Sequence, residues 1–234
     1  MLKATADTVF DVRLYVADTS GDEAFFDTWY ARMPQTRRTR CDRFRQEADR
    51  KRCITAYALL SYALNELTGK RSCTWNVTEG ADGKPYLTDI HVFFNISHSG
   101  ERIALALSPM EVGCDVESKS ANALSVAKRF FSESEYAYIL AAPDEKTRSR
   151  DFTRLWTMKE SVVKCCGEGI RRPFRDFSVV DEEGRITDTV TLPGKGDAYH
   201  IREFAAEDKY CYSVCSIYDR IENDIRRIDC GRMI

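Results

Sequence analysis

Apolar and polar positions alternate along Val9-Phe-Asp-Val-Arg-Leu-Tyr-Val16 with the two-residue period of a strand. The period then changes. An arginine-dense stretch at residues 36–52 runs into a segment where Ile54, Tyr57, Ala58, Leu64 and Leu67 return on one side of a helix, and Gly69 is a natural stop. Gly83-Lys-Pro85 signals a turn. His91-Val-Phe-Phe-Asn-Ile96 predicts a strand rich in aromatic and branched residues, which ends in the polar loop Ser97-His-Ser-Gly100. Arg102-Ile-Ala-Leu-Ala-Leu107 predicts the second arm of a hairpin, and residues 110–117 a third strand. Ser132-Glu-Ser-Glu135 has the form of a capping box and opens a helix. The next helix is predicted over residues 149–166, stopped by Gly167. Strand-like pieces follow at residues 177–180, 186–192, 199–202 and 210–217. The charged segment 219–234 is expected to fray.

This order of elements, with a helix beside strands in each half, predicts an α+β chain of two similar lobes. Ser108-Pro-Met110 is the expected junction, dividing an N-terminal lobe, residues 1–108, from a C-terminal lobe, residues 109–234. The strand at 110–117 then lies at the lobe interface, a common place for ligands.

Composition narrows the class. The chain has 234 residues, 43 % apolar and 31 % charged, a balance that supports a substantial core. A net charge of -2 argues against bulk attraction to nucleic acid or membrane. The nine cysteines include no Cys-x-x-Cys pair and lack zinc-ligand spacing, so they read as reduced thiols of a cytoplasmic protein. Met1-Leu-Lys-Ala-Thr-Ala-Asp lacks the apolar core of a secretion signal, and no apolar run approaches membrane-spanning length.

Candidate chemistry sits at the expected interface. Asp115 and Glu117 are two apart on a strand and share a face. Glu160 and Lys164 are four apart on a helix and form a stripe with Trp156, roughly opposite Met158 and Val162. Each acid taken singly reads as an ordinary solvated side chain. Three carboxylates from two elements beside a lysine are what a magnesium site for phosphate chemistry needs. Upstream, Arg37 and Arg40 are three apart and Arg52 lies further along, a set able to converge on one phosphate. His98 ends a strand between Ser97 and Ser99, which add hydroxyl donors. Ser97 directly precedes His98, which does not support a Ser/His/Asp triad.

In this order, Gly83-Lys-Pro85, Phe94-Asn-Ile-Ser-His-Ser99, Val112-Gly-Cys-Asp-Val-Glu117, Arg129-Phe-Phe131 and Trp156-Thr-Met-Lys-Glu-Ser161, closed by Lys164, resemble the 4′-phosphopantetheinyl transferases of the Sfp type over about residues 37–180. The resemblance implies two lobes related by a pseudo-two-fold, each a small mostly antiparallel sheet packed with helices, with coenzyme A between them. It implies a magnesium-dependent transfer of phosphopantetheine from coenzyme A to a serine of an apo acyl or peptidyl carrier protein, releasing adenosine 3′,5′-bisphosphate. By position, Asp115, Glu117 and Glu160 match the family's metal acids and Lys164 the lysine near the transferring phosphate. His98 matches a phosphate contact with Ser97 beside it, while Arg37, Arg40 and Arg52 match the basic residues around the 3′-phosphate. Lys84 and Pro85 fall in the adenine- and phosphate-side turn. Glu160, Glu117 or a bound water is expected to take the serine proton. Residues 122–146 are a candidate carrier surface, with Phe130 and Phe131 as contacts or as core anchors. The chain is expected to act as a monomer. Two other readings use the same acids: a magnesium-dependent pyrophosphohydrolase, and a non-catalytic module that binds coenzyme A or a nucleotide.

Overall fold

The computed structural model describes residues 10–70, 74–80, 83–118, 123–205 and 209–233. Parts of four expectations, at the N-terminal segment through Val9, at Cys73, at Asn122 and at Ile234, lie outside the described residues. Strand β1 is Val12–Asp18, followed by helices α1 (Glu23–Arg32), α2 (Gln35–Asp42) and α3 (Glu47–Thr68). Strands β2 (Val77–Glu79) and β3 (Pro85–Leu87) form a separate hairpin. Strands β4 (Phe93–Ser99), β5 (Arg102–Ser108) and β6 (Val112–Ser118) come next, then helices α4 (Ala123–Phe130), α5 (Glu133–Leu140) and α6 (Glu145–Cys165). Four strands close the chain: β7 (Thr189–Thr191), β8 (Ala198–Phe204), β9 (Tyr210–Ser216) and β10 (Ile221–Arg227).

Two four-stranded sheets result, in the orders β10-β1-β5-β4 and β6-β9-β8-β7. All pairings are antiparallel except β1 with β10. Alternation decides how they stack. On β1, Val12, Leu14 and Val16 face one way and Tyr15 and Ala17 the other, and both sets are buried. The first set meets Ala104 and Ala106 of β5, Val112, Cys114 and Val116 of β6, and Tyr212 and Val214 of β9, forming the layer between the two sheets. The second set packs under α1 and α3 with Phe25, Trp29, Tyr57 and Leu60. On the far side, α6 covers the second sheet through Leu155, Met158 and Val162. The chain is therefore built in four layers, helix, sheet, sheet, helix. The edge strands β4 and β6 lie side by side where the sheets meet.

Local signals explain the boundaries. Helix α3 starts with Glu47 and Asp49 against the positive end of its dipole and stops at Gly69 in the left-handed region, φ 66°. Helix α5 begins on the predicted capping box, with Ser132 as N-cap. Asp144 caps α6 by accepting from the Thr147 amide at 2.8 Å, so the helix starts four residues before the predicted 149.

Two expectations are corrected. Residues 219–233 do not fray. β10 pairs with β1, its Ile221 and Ile225 pack on the inter-sheet layer, and Arg226 reaches Glu66 of α3 at 2.6 Å. Arg13 meets Glu222 at 3.1 Å. The charges that suggested a solvated tail are the outer face of an edge strand, held in an ion-pair network. The first sheet thus takes a strand from beyond the junction at residues 108–110. Residues 177–180 form no strand; they make one bridge, Val180 to Ile186, while Phe177 and Val179 serve the core. The 186–192 strand narrows to β7. The eight cysteines described are all free thiols, most of them buried. Among the described residues, no helix is long and apolar enough to cross a membrane.

Candidate active site

Polar residues at alternate positions of β4 build the site. Asn95, Ser97 and Ser99 share a face that turns toward β6. The two strands belong to different sheets, so side chains make the junction. Asn95 Oδ1 accepts the Cys114 amide at 2.9 Å, and the Cys114 thiol donates to the Asn95 carbonyl at 3.1 Å. The Ser97 hydroxyl donates to Asp115 Oδ1 at 2.7 Å. The Ser99 hydroxyl donates to Glu117 Oε2 at 3.0 Å and accepts the Ser118 amide at 3.2 Å. Each acid of β6 is thus held by a serine of β4. Asn95→Ala should leave a buried amide without its acceptor, a cost of about 1–3 kcal/mol. A thermal melt reads this as a lowered Tm, and an unchanged Tm contradicts the junction.

From the other side, α6 lies directly on β6. A Cβ on Gly113 would sit 2.1 Å from the Ser161 carbonyl oxygen and 2.4 Å from the Cys165 amide nitrogen. The glycine lets the helix backbone touch the strand, which sets Lys164 over Asp115. Lys164 Nζ donates to Asp115 Oδ1 at 2.6 Å and to Ser97 Oγ at 3.0 Å. Asp115 is 2 % exposed, and its second oxygen, Oδ2, is buried without a hydrogen-bond partner. Glu160, one helical turn before Lys164, is half-buried beside Trp156 on the predicted stripe.

The electrostatics are those of crowded acids. Burial, then the Asp115 charge, pushes the Glu117 carboxyl above the usual range. Burial also raises Glu160; Lys164 opposes this and Asp115 adds to it. For Lys164, burial works against the ammonium, but the carboxylate of Asp115 outweighs it and holds the group above the ordinary lysine value. His98 is exposed at the rim. Partial loss of solvent, then the charges of Arg52 and Lys164, lowers its pKa. Among the described residues, no three His, Cys, Asp or Glu side chains are grouped so that they could hold a metal ion as they stand.

The remaining sequence candidates flank this cluster. Arg52 is anchored to Asp49 and donates to the Gly100 carbonyl at 3.0 Å, which places it beside the end of β4; that strand runs through Ser99, so Ser97 and His98 lie in it and not in the predicted loop. Arg37 and Arg40 sit on α2. Arg40 pairs with Glu79 of β2 at 2.6 Å, while Arg37 Nε is buried without a partner. Lys84 lies at the other end of β4 and β6, where it bridges Glu111 at 2.5 Å and the Cys165 carbonyl at 3.3 Å. With Pro85, Tyr86, His91 and Phe93 it lines a cavity of about 330 Å³. Ser97 is 7 % exposed and lies behind Asp115. Asp115, Glu117, Glu160, Lys164 and Ser97 thus come together with His98 and Arg52 at their edge; Arg37 and Arg40 form a neighbouring group, and Lys84 stands apart. Sequence reasoning did not single out Asn95, Gly113 or Glu111. For Asn95 the signal was available, a polar residue at every second position of an apolar strand.

Residues 111–215 match the family model described as the 4′-phosphopantetheinyl transferase superfamily. Residues 21–110 match that described as 4′-phosphopantetheinyl transferase, N-terminal. A 4′-phosphopantetheinyl transferase of Bacillus subtilis is 33 % identical over 205 residues, covering 86 % of this chain and 88 % of the relative. The 4′-phosphopantetheinyl transferase Sfp of Bacillus subtilis strain 168 is 29 % identical over 194 residues, covering 82 % and 85 %. The 4′-phosphopantetheinyl transferase AcpT of Escherichia coli K12 is 39 % identical over 120 residues, 49 % of this chain and 57 % of the relative. The acids held between β4 and α6 lie within the first matched region and the arginines of α2 and α3 within the second, and on these matches the chain belongs to the 4′-phosphopantetheinyl transferase family, as an enzyme of the Sfp type.

Proposed function

We propose that the cluster of acids and Lys164 where β4, β6 and α6 meet is the place where this chain carries out the family's reaction. The phosphopantetheine arm of coenzyme A passes to a serine hydroxyl of an apo carrier protein, and adenosine 3′,5′-bisphosphate leaves. The observation that carries the assignment is Asp115, fixed through one oxygen by Ser97 and Lys164 while its other oxygen is buried and unpartnered. That oxygen, with the raised carboxyls of Glu117 and Glu160 nearby, suits a hard divalent cation such as magnesium. Such an ion takes one or two carboxylates and completes its shell with substrate phosphate oxygens and water, so it does not require a preformed group of three protein ligands. When bound, it supplies charge neutralisation at the pyrophosphate.

The residues supply the rest. Lys164 offers a fixed positive charge beside the acids to meet charge developing on the leaving phosphate. His98 and Arg52 at the rim hold a second phosphate group, and Arg37 and Arg40 extend the positive path toward the 3′-phosphate. Lys84 and Pro85 take the adenine side. The serine proton passes to whichever of Glu160 and Glu117 is not engaged by the cation, directly or through a bound water. The carrier docks on α4 and α5, where Phe130 and Leu140 are exposed beside Lys128 and Arg129. Phe131 takes no part there: it is buried and stacks on Phe152 at 5.4 Å. The eight described cysteines, all free thiols, suit a reducing, cytoplasmic setting.

The direct test is mass. An apo carrier protein incubated with the enzyme, coenzyme A and magnesium should gain one phosphopantetheine, and no gain with a range of carriers contradicts the reading. His98 gives a second prediction. Its pKa is lowered in the free protein, and a phosphate beside it raises the pKa again. Binding of coenzyme A near pH 6.5 should therefore take up protons at this residue, and affinity should strengthen as pH falls toward 6. Calorimetry in buffers of different ionisation enthalpy measures the uptake. His98→Ala should take up fewer protons than the wild type, and equal uptake removes His98 from the phosphate site.

A further inference from the structure

Lys159 stands immediately before Glu160, about 100° around the helix from it, and is buried toward α5. Its side chain and that of Glu135 are both 0 % exposed and pair at 2.6 Å. The ammonium also donates to the Phe177 carbonyl at 2.6 Å and lies 4.1 Å from the Phe177 ring, with Phe131 and Phe174 each at 5.8 Å. Glu135 is equally committed. One oxygen accepts Lys159 and the Val179 amide at 2.9 Å, and the other accepts the Ser132 amide at 2.9 Å as part of the capping box of α5. A buried pair of this kind contributes little net stability compared with apolar residues of the same shape, and its best-attested use is to fix one arrangement among several.

We infer that Lys159 and Glu135 form a positioning pair that sets the rotation of α6, and through it the aim of Glu160 and Lys164. Successive residues of a helix are about 100° apart, so a lysine whose direction is fixed also fixes the direction of its neighbour. The apolar side of α6 does not do this alone. Leu155, Met158 and Val162 tolerate small rotations, whereas hydrogen bonds to Glu135 and to a main-chain carbonyl do not. Gly113 holds the distance between helix and strand; Lys159 holds the angle from the α5 side, and Arg154 on Glu203 and Ser161 on Ser213 hold it from the sheet side. Together they place Lys164 Nζ 2.6 Å from Asp115.

This inference rests on the roles given to Glu160 and Lys164 above, and its test separates the two. Lys159→Met, Glu135→Gln and the double variant are compared with wild type for kcat, for KM with coenzyme A, for Tm and for Trp156 emission, the last read against Trp156→Phe. The single variants should lose stability because each leaves a buried polar group without its partner. The double variant removes both charges and should melt closer to wild type. In every folded variant kcat should fall on the order of 100-fold, the cost of a misplacement of about 1 Å. KM for coenzyme A should change little, because His98 and the arginines lie on other elements, and Trp156 emission should shift. Wild-type kcat in any folded variant overturns the positioning role. So does failure of all three to fold, which makes the pair a stability element only. Glu160→Gln serves as the control for the site itself. If it keeps full activity, the site reading fails; if it is inactive while folded Lys159→Met is unimpaired, the positioning inference alone fails.

Discussion

Gly113→Ala is expected to abolish transfer and to destabilise the chain by about 3 kcal/mol or more, at or beyond the upper end of what overpacking usually costs. The added methyl would lie 2.1 Å from the Ser161 carbonyl oxygen and 2.4 Å from the Cys165 amide nitrogen. Both are main-chain atoms of α6, so no side chain can swing aside to make room. The helix must move off β6, which separates Lys164 from Asp115 and opens the layer held by Leu155, Met158 and Val162. Denaturant unfolding and the carrier mass assay check this together. A folded, fully active Gly113→Ala would show that α6 does not need its contact with β6.

Asp115→Asn is the second. It preserves shape, keeps an acceptor for Ser97 and removes only the charge. Folding should survive, because Lys164 is not sealed from water: its side chain is 27 % exposed. Its own pKa should fall toward the ordinary lysine range, since the Asp115 carboxylate is what holds it up. Transfer should drop on the order of 10²–10³-fold, the scale of losing one preorganised electrostatic group. Turnover at saturating substrate should suffer more than KM for coenzyme A, because Arg52, Arg37 and Arg40 still hold the rest of the molecule. Full activity would place the catalytic charge elsewhere.

Local elements were legible in the chain because local period writes them. The alternation at β1 and β5, the apolar face of α3 and the stripe Trp156, Glu160, Lys164 on α6 all stand where their spacing puts them. The ordered motifs carried the family. What the sequence hid was pairing over distance. β10 lies some two hundred residues from β1, and its charged face disguises a strand as a tail. The β4–β6 junction is made by Asn95, which read as an ordinary strand position, and by Ser97 and Ser99, which read as loop residues or phosphate donors. Lys159 was masked by its type, since lysine is almost never fully buried unless paired, and its partner Glu135 looked fully explained by helix capping. Gly113 gave no local sign at all. Its need for a bare backbone comes from a helix nearly fifty residues later.

The central claim is that Asp115, Glu117 and Glu160 hold a divalent cation beside the pyrophosphate of coenzyme A. The measurement closest to it is the affinity for coenzyme A with and without magnesium, by calorimetry, in wild type and in Asp115→Asn. Magnesium should tighten coenzyme A binding to the wild-type protein and leave the variant nearly unaffected. Equal tightening in both proteins would contradict the assignment of these acids.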